Sequence, residues 1–252
     1  NYIDSYSLQI IKGGGQFGVT FFFVLSGFLI TYLLFNENEI YNGISIKNFY
    51  LRRILRIWPL YYLLVILGFF IFPYLTYIND NFYNDLELGF NQKLLEFVLF
   101  VPNITFAKLQ EIPFIFHLWS IGVEEQFYLI WPLLIKFSRN KIRVICYVII
   151  ITIALKFQYY IFNSIFELDI NFLNYLREFL RLTRIECMAI GGIGAYILYY
   201  KKPKIINLIF TNWFQYISYA IITLLIIFNI LIPFLHNYIY STLFIILILN
   251  IS

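Results

Sequence analysis

Two adjacent carboxylates, Glu124 and Glu125, stand inside a long apolar stretch. It reads His117-Leu118-Trp119-Ser120-Ile121-Gly122-Val123-Glu124-Glu125-Gln126-Phe127-Tyr128-Leu129-Ile130-Trp131-Pro132. Ser120, Glu124 and Tyr128 recur at every fourth residue, so a helix carries them on one face. Glu124 falls roughly 10 Å along that helix from His117. If the segment crosses a bilayer, Glu124 sits well inside the hydrocarbon, where an acidic side chain costs about 2.5–3.5 kcal/mol on insertion scales. Helix packing offers nothing to offset that cost. A carboxylate held there can donate a proton if desolvation keeps it neutral, or orient a base or an acceptor if it is ionised. The competing account is a structural ion pair with a cation such as Arg184 or Lys156. His117 falls at the end of the stretch, where a helix cap or an interfacial hydrogen bond is a simpler role than catalysis.

A second candidate is Phe49-Tyr50-Leu51-Arg52-Arg53-Ile54-Leu55-Arg56-Ile57-Trp58-Pro59-Leu60. Arg53 and Arg56 are three apart and share a helix face. Two guanidinium forks on one face can clamp phosphates. Arginines at the mouth of a membrane span also serve as topology anchors, and that reading needs no ligand. A third group, Arg177, Arg181 and Arg184, again shares one face, and it lies where positive charge is unusual. A specific partner is expected for it, among Glu124, Glu125, Glu178 or an anionic acceptor. Ser26-Gly27 and Gly191-Gly192-Ile193-Gly194 are small residues within apolar runs, which predicts close helix packing.

The elements that must position these residues follow from composition. Of 252 residues, 61% are hydrophobic and 13% charged, with 29 Phe and 22 Tyr. A soluble domain of this length cannot hide so much apolar surface, so the lipid bilayer is expected as the main solvent. The abundance of aromatics is read as compositional bias. Basic residues give a net charge of +4, but they fall in short clusters between apolar runs, not in a surface stripe, so no nucleic acid is expected as partner. Cys146 and Cys187 lie in apolar stretches and are expected to be reduced and structural.

The fold class expected is all-α, a polytopic transmembrane helical bundle with about seven spans. The spans are Phe17–Phe35, Ile57–Leu75, Leu118–Phe137, Val144–Phe162, Ile185–Tyr200, Phe214–Pro233 and Tyr238 to the end. The loops bearing Lys47, Arg52, Arg53 and Arg56, then Arg139, Lys141 and Arg143, then Lys201, Lys202 and Lys204, are placed in the cytoplasm. The loop Tyr77–Lys93, with Asp80, Asp85 and Glu87, is placed outside. Alternation then forbids the short run Leu94–Phe106, broken by Pro102, from crossing. It is expected to dip into, or lie along, the outer membrane face. Residues 1–252 are expected to be part of a membrane domain that continues at both ends, since the chain opens on Asn1 and stops inside an apolar run.

The order of these segments resembles the acyltransferase 3 family. The matching residues are Phe22-Phe23-Val24-Leu25-Ser26-Gly27-Phe28, then Arg53-x-x-Arg56 leading into Pro59-Leu60-Tyr61, then Trp119-Ser120-x-x-x-Glu124-Glu125-Gln126-Phe127-Tyr128. The resemblance implies a multi-pass protein of the cytoplasmic membrane with about ten spans. It implies transfer of an acyl group, usually acetyl from acetyl-CoA, to a hydroxyl of a carbohydrate outside that membrane, and no metal. Arg53 and Arg56 would then hold the donor's phosphates, and Ser120, Glu124 and Tyr128 would line the path where donor and acceptor meet. The family's first span carries a histidine that acts as base. His117 and His236 lie elsewhere in the pattern, so no residue here matches it, and the spans seen correspond to the family's second to eighth. The alternative from another class is a transporter or flippase, which also needs buried carboxylates and basic loops. It predicts paired half-repeats, which the sequence does not display.

Overall fold

The computed structural model describes the backbone of residues 2–74, 89–108, 112, 114–165, 170–200, 207, 211–228, 241 and 244–245. Side chains are described for residues 18–73, 89–108, 112, 114–156, 175–200, 207, 211–217, 219–221, 241 and 244–245. Every regular element among them is helical. In chain order these are α1 (Tyr2–Tyr41), α2 (Ile46–Ile66), α3 (Phe90–Val98), α4 (Pro102–Ala107), α5 (Leu118–Phe137), α6 (Lys141–Ile165), α7 (Ile170–Leu182), α8 (Ile185–Tyr199) and α9 (Asn212–Phe228). A π-helical turn over Leu67–Ile71 and a 3-10 turn over Phe72–Tyr74 extend α2.

Two helical stretches, Gly18–Tyr41 and Ile46–Ile71, are long and apolar enough to cross a membrane. The expected spans Leu118–Phe137, Val144–Phe162 and Ile185–Tyr200 coincide with α5, the interior of α6 and α8. The span Phe214–Pro233 is helical as far as Phe228, and its remainder lies outside the described residues, as do most of the span from Tyr238, the bulk of the loop Tyr77–Lys93, and Lys201, Lys202, Lys204 and His236.

One expected boundary is corrected. Hydropathy starts the second span at Ile57 and leaves its arginines in the preceding loop, yet α2 starts at Ile46 and carries Arg52, Arg53 and Arg56 within it. Nothing between Ser45 and Pro59 breaks a helix, and Phe49 already faces inward. Mean hydropathy locates the hydrocarbon-compatible part of a helix, not its start. By contrast, the break at Pro102 is where the sequence put it. Residues 90–107 form two short helices, with Pro102 in the first turn of α4, where its missing N–H costs nothing.

Two compact units are distinguished: Asn1–Ile44, Ile135–Thr152 and Ile185–Ser252, and separately Ser45–Leu134 with Ile153–Arg184. In the first unit α1 packs along α8. The contact is made by backbone against backbone: a Cβ at Gly27 would collide with the Met188 carbonyl, and one at Gly191 with the Val24 carbonyl. This is the close approach that the small residues predict. Phe23, Val24, Ile30 and Leu34 are fully buried along α1. Toward its end Phe35 packs against the rings of Tyr196, Tyr199 and Tyr200, and the Tyr199 hydroxyl donates to Glu39. Asn42, with φ 52°, terminates the helix in the left-handed conformation that asparagine tolerates. Lys141 donates to the carbonyls of Ile135 and Ser138, which satisfies acceptors at the C-terminal end of α5.

In the second unit, α2, α3, α4 and α7 enclose a core of Tyr61, Val65, Phe69, Phe97, Phe106, Ile115 and Leu182. The hydroxyls of Tyr61 and Tyr62 donate to the carbonyls of Phe97 and Val98, at 2.8 and 3.0 Å, and so cap the end of α3 from α2. Glu96 is buried and accepts from Thr105, from Lys108 at 2.8 Å and from Gln92 at 3.0 Å, which ties α3 to α4. The corner between them rests on α5 at Gly122, where a Cβ would lie 2.6 Å from the Pro102 ring and 3.0 Å from the Phe100 carbonyl.

These contacts separate two kinds of glycine. Gly191→Val should destabilise the protein by about 1–3 kcal/mol or more, because backbone cannot move aside. Gly18→Ala meets nothing within 4 Å and should be neutral or gain up to about 1 kcal/mol. Thermal aggregation of the detergent-extracted protein measures both. Equal melting of the two variants would contradict the close α1–α8 packing.

Candidate functional site

Within the second unit, α2 and α5 lie side by side with a cavity of about 310 Å³ opening between them. Tyr50, Arg53, Ile54 and Trp58 line it from α2; Glu125, Gln126, Tyr128 and Leu129 line it from α5. Leu99 and Phe100, at the α3–α4 corner, line its far end, Phe100 buried and Leu99 exposed. Eight residues separate Tyr50 from Trp58, so the groove runs about 12 Å along α2. At the end nearer the start of α2, the Tyr50 hydroxyl donates to the Leu129 carbonyl at 2.6 Å. At the other end Trp58, Phe100 and Leu99 make an apolar wall.

Arg53 stands midway. Its guanidinium lies 5.3 Å from the centre of the Tyr128 ring and 5.7 Å from that of Phe49, a cation–π arrangement on two faces. Its charge also interacts with the Glu124 and Glu125 carboxylates. Arg56 is exposed and does not line the cavity, so the shared face that spacing assigned to Arg53 and Arg56 is divided by depth.

The three residues placed on one face of α5 divide as well. Glu124 is buried, and the Tyr128 hydroxyl donates to it. Ser120 turns back and donates to the His117 carbonyl at 2.9 Å, within the first turn of the helix. It satisfies a local acceptor. His117 is exposed, with its ring beside Phe116.

Glu125, a quarter-turn from Glu124, is the carboxylate that faces the cavity. Its Oε2 accepts from the Trp58 indole N–H at 3.3 Å. Its Oε1 is buried and has no hydrogen-bond partner among the described residues. A buried carboxylate oxygen without a donor is costly, and a ligand N–H or O–H in the cavity would satisfy it. Gln126 donates to both the Phe100 carbonyl and Asn103 Oδ1, each at 2.9 Å, and Asn103 donates to Thr183 at 3.4 Å. Glu125, Gln126, Trp58 and Asn103 were missed as a set because each is judged on its own helix. The signal was the unbroken polar triplet Glu124-Glu125-Gln126, which covers too wide an arc for a single face.

The helix face expected for Arg177, Arg181 and Arg184 stops short, because α7 ends at Leu182 and Arg184 lies in the link to α8; each of the three has a local partner. Arg181 pairs with Glu178 at 2.7 Å and Arg177 with the same carboxylate at 3.5 Å. Arg184 is buried, donates to the Arg181 carbonyl at 3.3 Å and lies over the Trp119 ring at 6.0 Å.

The arrangement offers a cation, a buried hydrogen-bond acceptor and an apolar end, within one short cavity. That set suits a molecule with a polar, electron-rich middle and a small apolar tip.

A profile described as an acyltransferase domain matches residues 2–251. An uncharacterised protein of Haemophilus influenzae is 37% identical over 145 residues, 54% of this chain and 56% of that protein. The peptidoglycan O-acetyltransferase OatA of Listeria monocytogenes is 35% identical over 121 residues, 47% of this chain and 19% of that protein. The O-acetyltransferase OatA of Staphylococcus aureus is 33% identical over 139 residues, 52% of this chain and 22% of that protein. The chain thus spans from a fifth to just over half the length of these curated relatives. No solved structure matches it. With the motifs of α1, α2 and α5 in the expected order and the profile covering nearly the whole length, this chain belongs to the acyltransferase 3 family.

Proposed function

We propose that this protein is a multi-pass O-acyltransferase of the cytoplasmic membrane, and that residues 1–252 form part of its membrane domain. It transfers an acetyl group from acetyl-CoA to a hydroxyl of a glycan outside that membrane. The observation that carries this reading is the cavity in which Arg53, Tyr128 and Glu125 converge. Family membership supports acyl transfer, and the names of the Listeria and Staphylococcus relatives support a cell-wall glycan as acceptor.

In the reaction the C–S bond of the thioester breaks and a C–O ester bond forms to the acceptor oxygen. The acceptor's proton passes to a base and ends on the departing CoA thiolate. The cavity volume corresponds to on the order of ten water-sized groups, room for the thioester and the end of its arm but not for a nucleotide. The nucleotide phosphates would stay outside the cavity on the cytoplasmic side, within reach of Arg52 and Arg56 on the exposed side of α2. Arg53 lines the cavity itself and would stabilise negative charge developing on the thioester carbonyl oxygen. Glu125 Oε1 would accept from an N–H of the arm or from the acceptor hydroxyl. Glu124 holds the Tyr128 ring beneath Arg53, and is a positioning residue in this scheme. About seven crossings, with Asn48 and Asn140 cytoplasmic, complete the topology.

In membranes containing the full-length protein, Arg53→Ala should lower kcat/KM for acetyl-CoA at least about tenfold, the loss expected for one charge-assisted contact of about 1.5–3 kcal/mol. Arg53→Lys should recover only part, since an ammonium lacks the planar fork that lies over Tyr128. Unaltered kinetics in Arg53→Ala would return the arginine to a topology anchor.

Glu125→Gln should cut kcat by about a hundredfold at normal protein level, as for a group acting in proton transfer or acceptor orientation. Glu124→Gln should be milder, about tenfold, because an amide oxygen still accepts from Tyr128. Acetylated glycan released from the membranes reports both, and wild-type transfer in Glu125→Gln would remove this carboxylate from the mechanism.

A further inference from the structure

The α3–α4 corner contains an oddity that the proposed chemistry does not use. The end of α3 closes as a Schellman turn: Val101 N–H donates to the Glu96 carbonyl at 2.8 Å and Phe100 N–H to the Phe97 carbonyl at 3.1 Å. That turn places Phe100 at φ 58°. Glycine adopts this conformation freely, whereas a side chain costs roughly 1–2 kcal/mol there. Here a bulky aromatic occupies it. Its ring stacks on Tyr61 at 4.3 Å and meets Trp58 at 5.3 Å and Tyr62 at 5.5 Å. Its carbonyl is held by Gln126 at 2.9 Å. Backbone and ring are therefore fixed independently, and the fixed ring forms the end of the cavity.

We infer that Phe100, with Leu99 beside it, is the wall that sets acyl-chain length, so that the cavity accepts acetyl and excludes acyl groups of about six carbons. The inference rests on the reading of the cavity as the thioester site and names the specificity of that site. A donor arm entering past Tyr50 and Arg53 points its acyl tip at Phe100 and at Trp58, which lies about 7–8 Å beyond Arg53 along α2. The tip meets a ring clamped by three aromatic neighbours and a left-handed backbone, not a side chain free to swing aside. The Phe100 ring and the Leu99 side chain are apolar and suit a methyl group. Each added methylene beyond the wall needs space that close-packed aromatics do not provide.

Membranes containing the full-length protein are supplied in turn with acetyl-, butyryl- and hexanoyl-CoA, and acyl transfer to the native glycan is measured at matched protein level. The wild type should transfer acetyl strongly over hexanoyl. Phe100→Ala should raise the hexanoyl-to-acetyl ratio about tenfold or more, the scale on which pockets discriminate one or two methylenes. Leu99→Ala removes part of the same wall without disturbing the stack on Tyr61, and should move the ratio the same way by less. If Phe100→Ala does not accumulate in membranes, Leu99→Ala decides. Acetyl transfer by the wild type, with the same chain-length profile in every variant that accumulates, would overturn the wall and leave the function intact. A wild type that transfers no acyl group from any of the thioesters would overturn the thioester reading of the cavity and this inference with it.

Discussion

Carboxylates inside an apolar helix must be met by donors and cations from a neighbour, and this requirement organises the second unit. Glu124 and Glu125 on α5 would each cost kcal/mol quantities in hydrocarbon if left alone. Tyr128 answers Glu124 from the next turn, and Trp58 answers one oxygen of Glu125 from α2. Arg53, sandwiched by Tyr128 and Phe49, supplies the positive charge. These bonds fix the register of α2 against α5, and that register leaves the cavity between them.

The rest of the unit is then constrained to fit. The α3–α4 corner can reach the cavity only because Gly122 presents no side chain to Pro102 and the Phe100 carbonyl. Gln126 receives that corner with two hydrogen bonds, and the tyrosines of α2 cap α3 from the other side. A polar triplet on α5 thus serves three ends: Glu124 orders Tyr128, Glu125 faces the cavity and Gln126 anchors its far wall. In the first unit the constraint is different. Small residues on α1 and α8 let two backbones touch, and toward the end of α1 Phe35 packs against the rings of Tyr196 and Tyr199.

Much of this was legible because it is local. Glu124 and Tyr128 four residues apart, glycines in apolar runs and the break at Pro102 follow from helix geometry and propensity alone. The split of Arg53 from Arg56 was not legible, because a helix face says which residues align and not how deep a neighbour reaches along them. The hydroxyl of Ser120 was not legible for a related reason: in the first turn of α5 it donates locally, to the His117 carbonyl that also accepts from its own backbone N–H, and alignment on a face does not reveal such a bond. That Glu125 and not Glu124 faces the cavity was not legible either, because α2 and the α3–α4 corner wrap α5 over more than one face. The left-handed Phe100 has no signature in sequence, where that position would suggest glycine.

If the groove between α2 and α5 receives the acyl donor as proposed, a photoreactive CoA thioester irradiated in membranes containing the full-length protein should label Tyr50–Trp58 and Glu125–Leu129, as mapped by peptide mass spectrometry, and excess acetyl-CoA should suppress that labelling. Labelling confined to other segments, or labelling of these peptides that acetyl-CoA does not compete, would exclude the groove as the donor site.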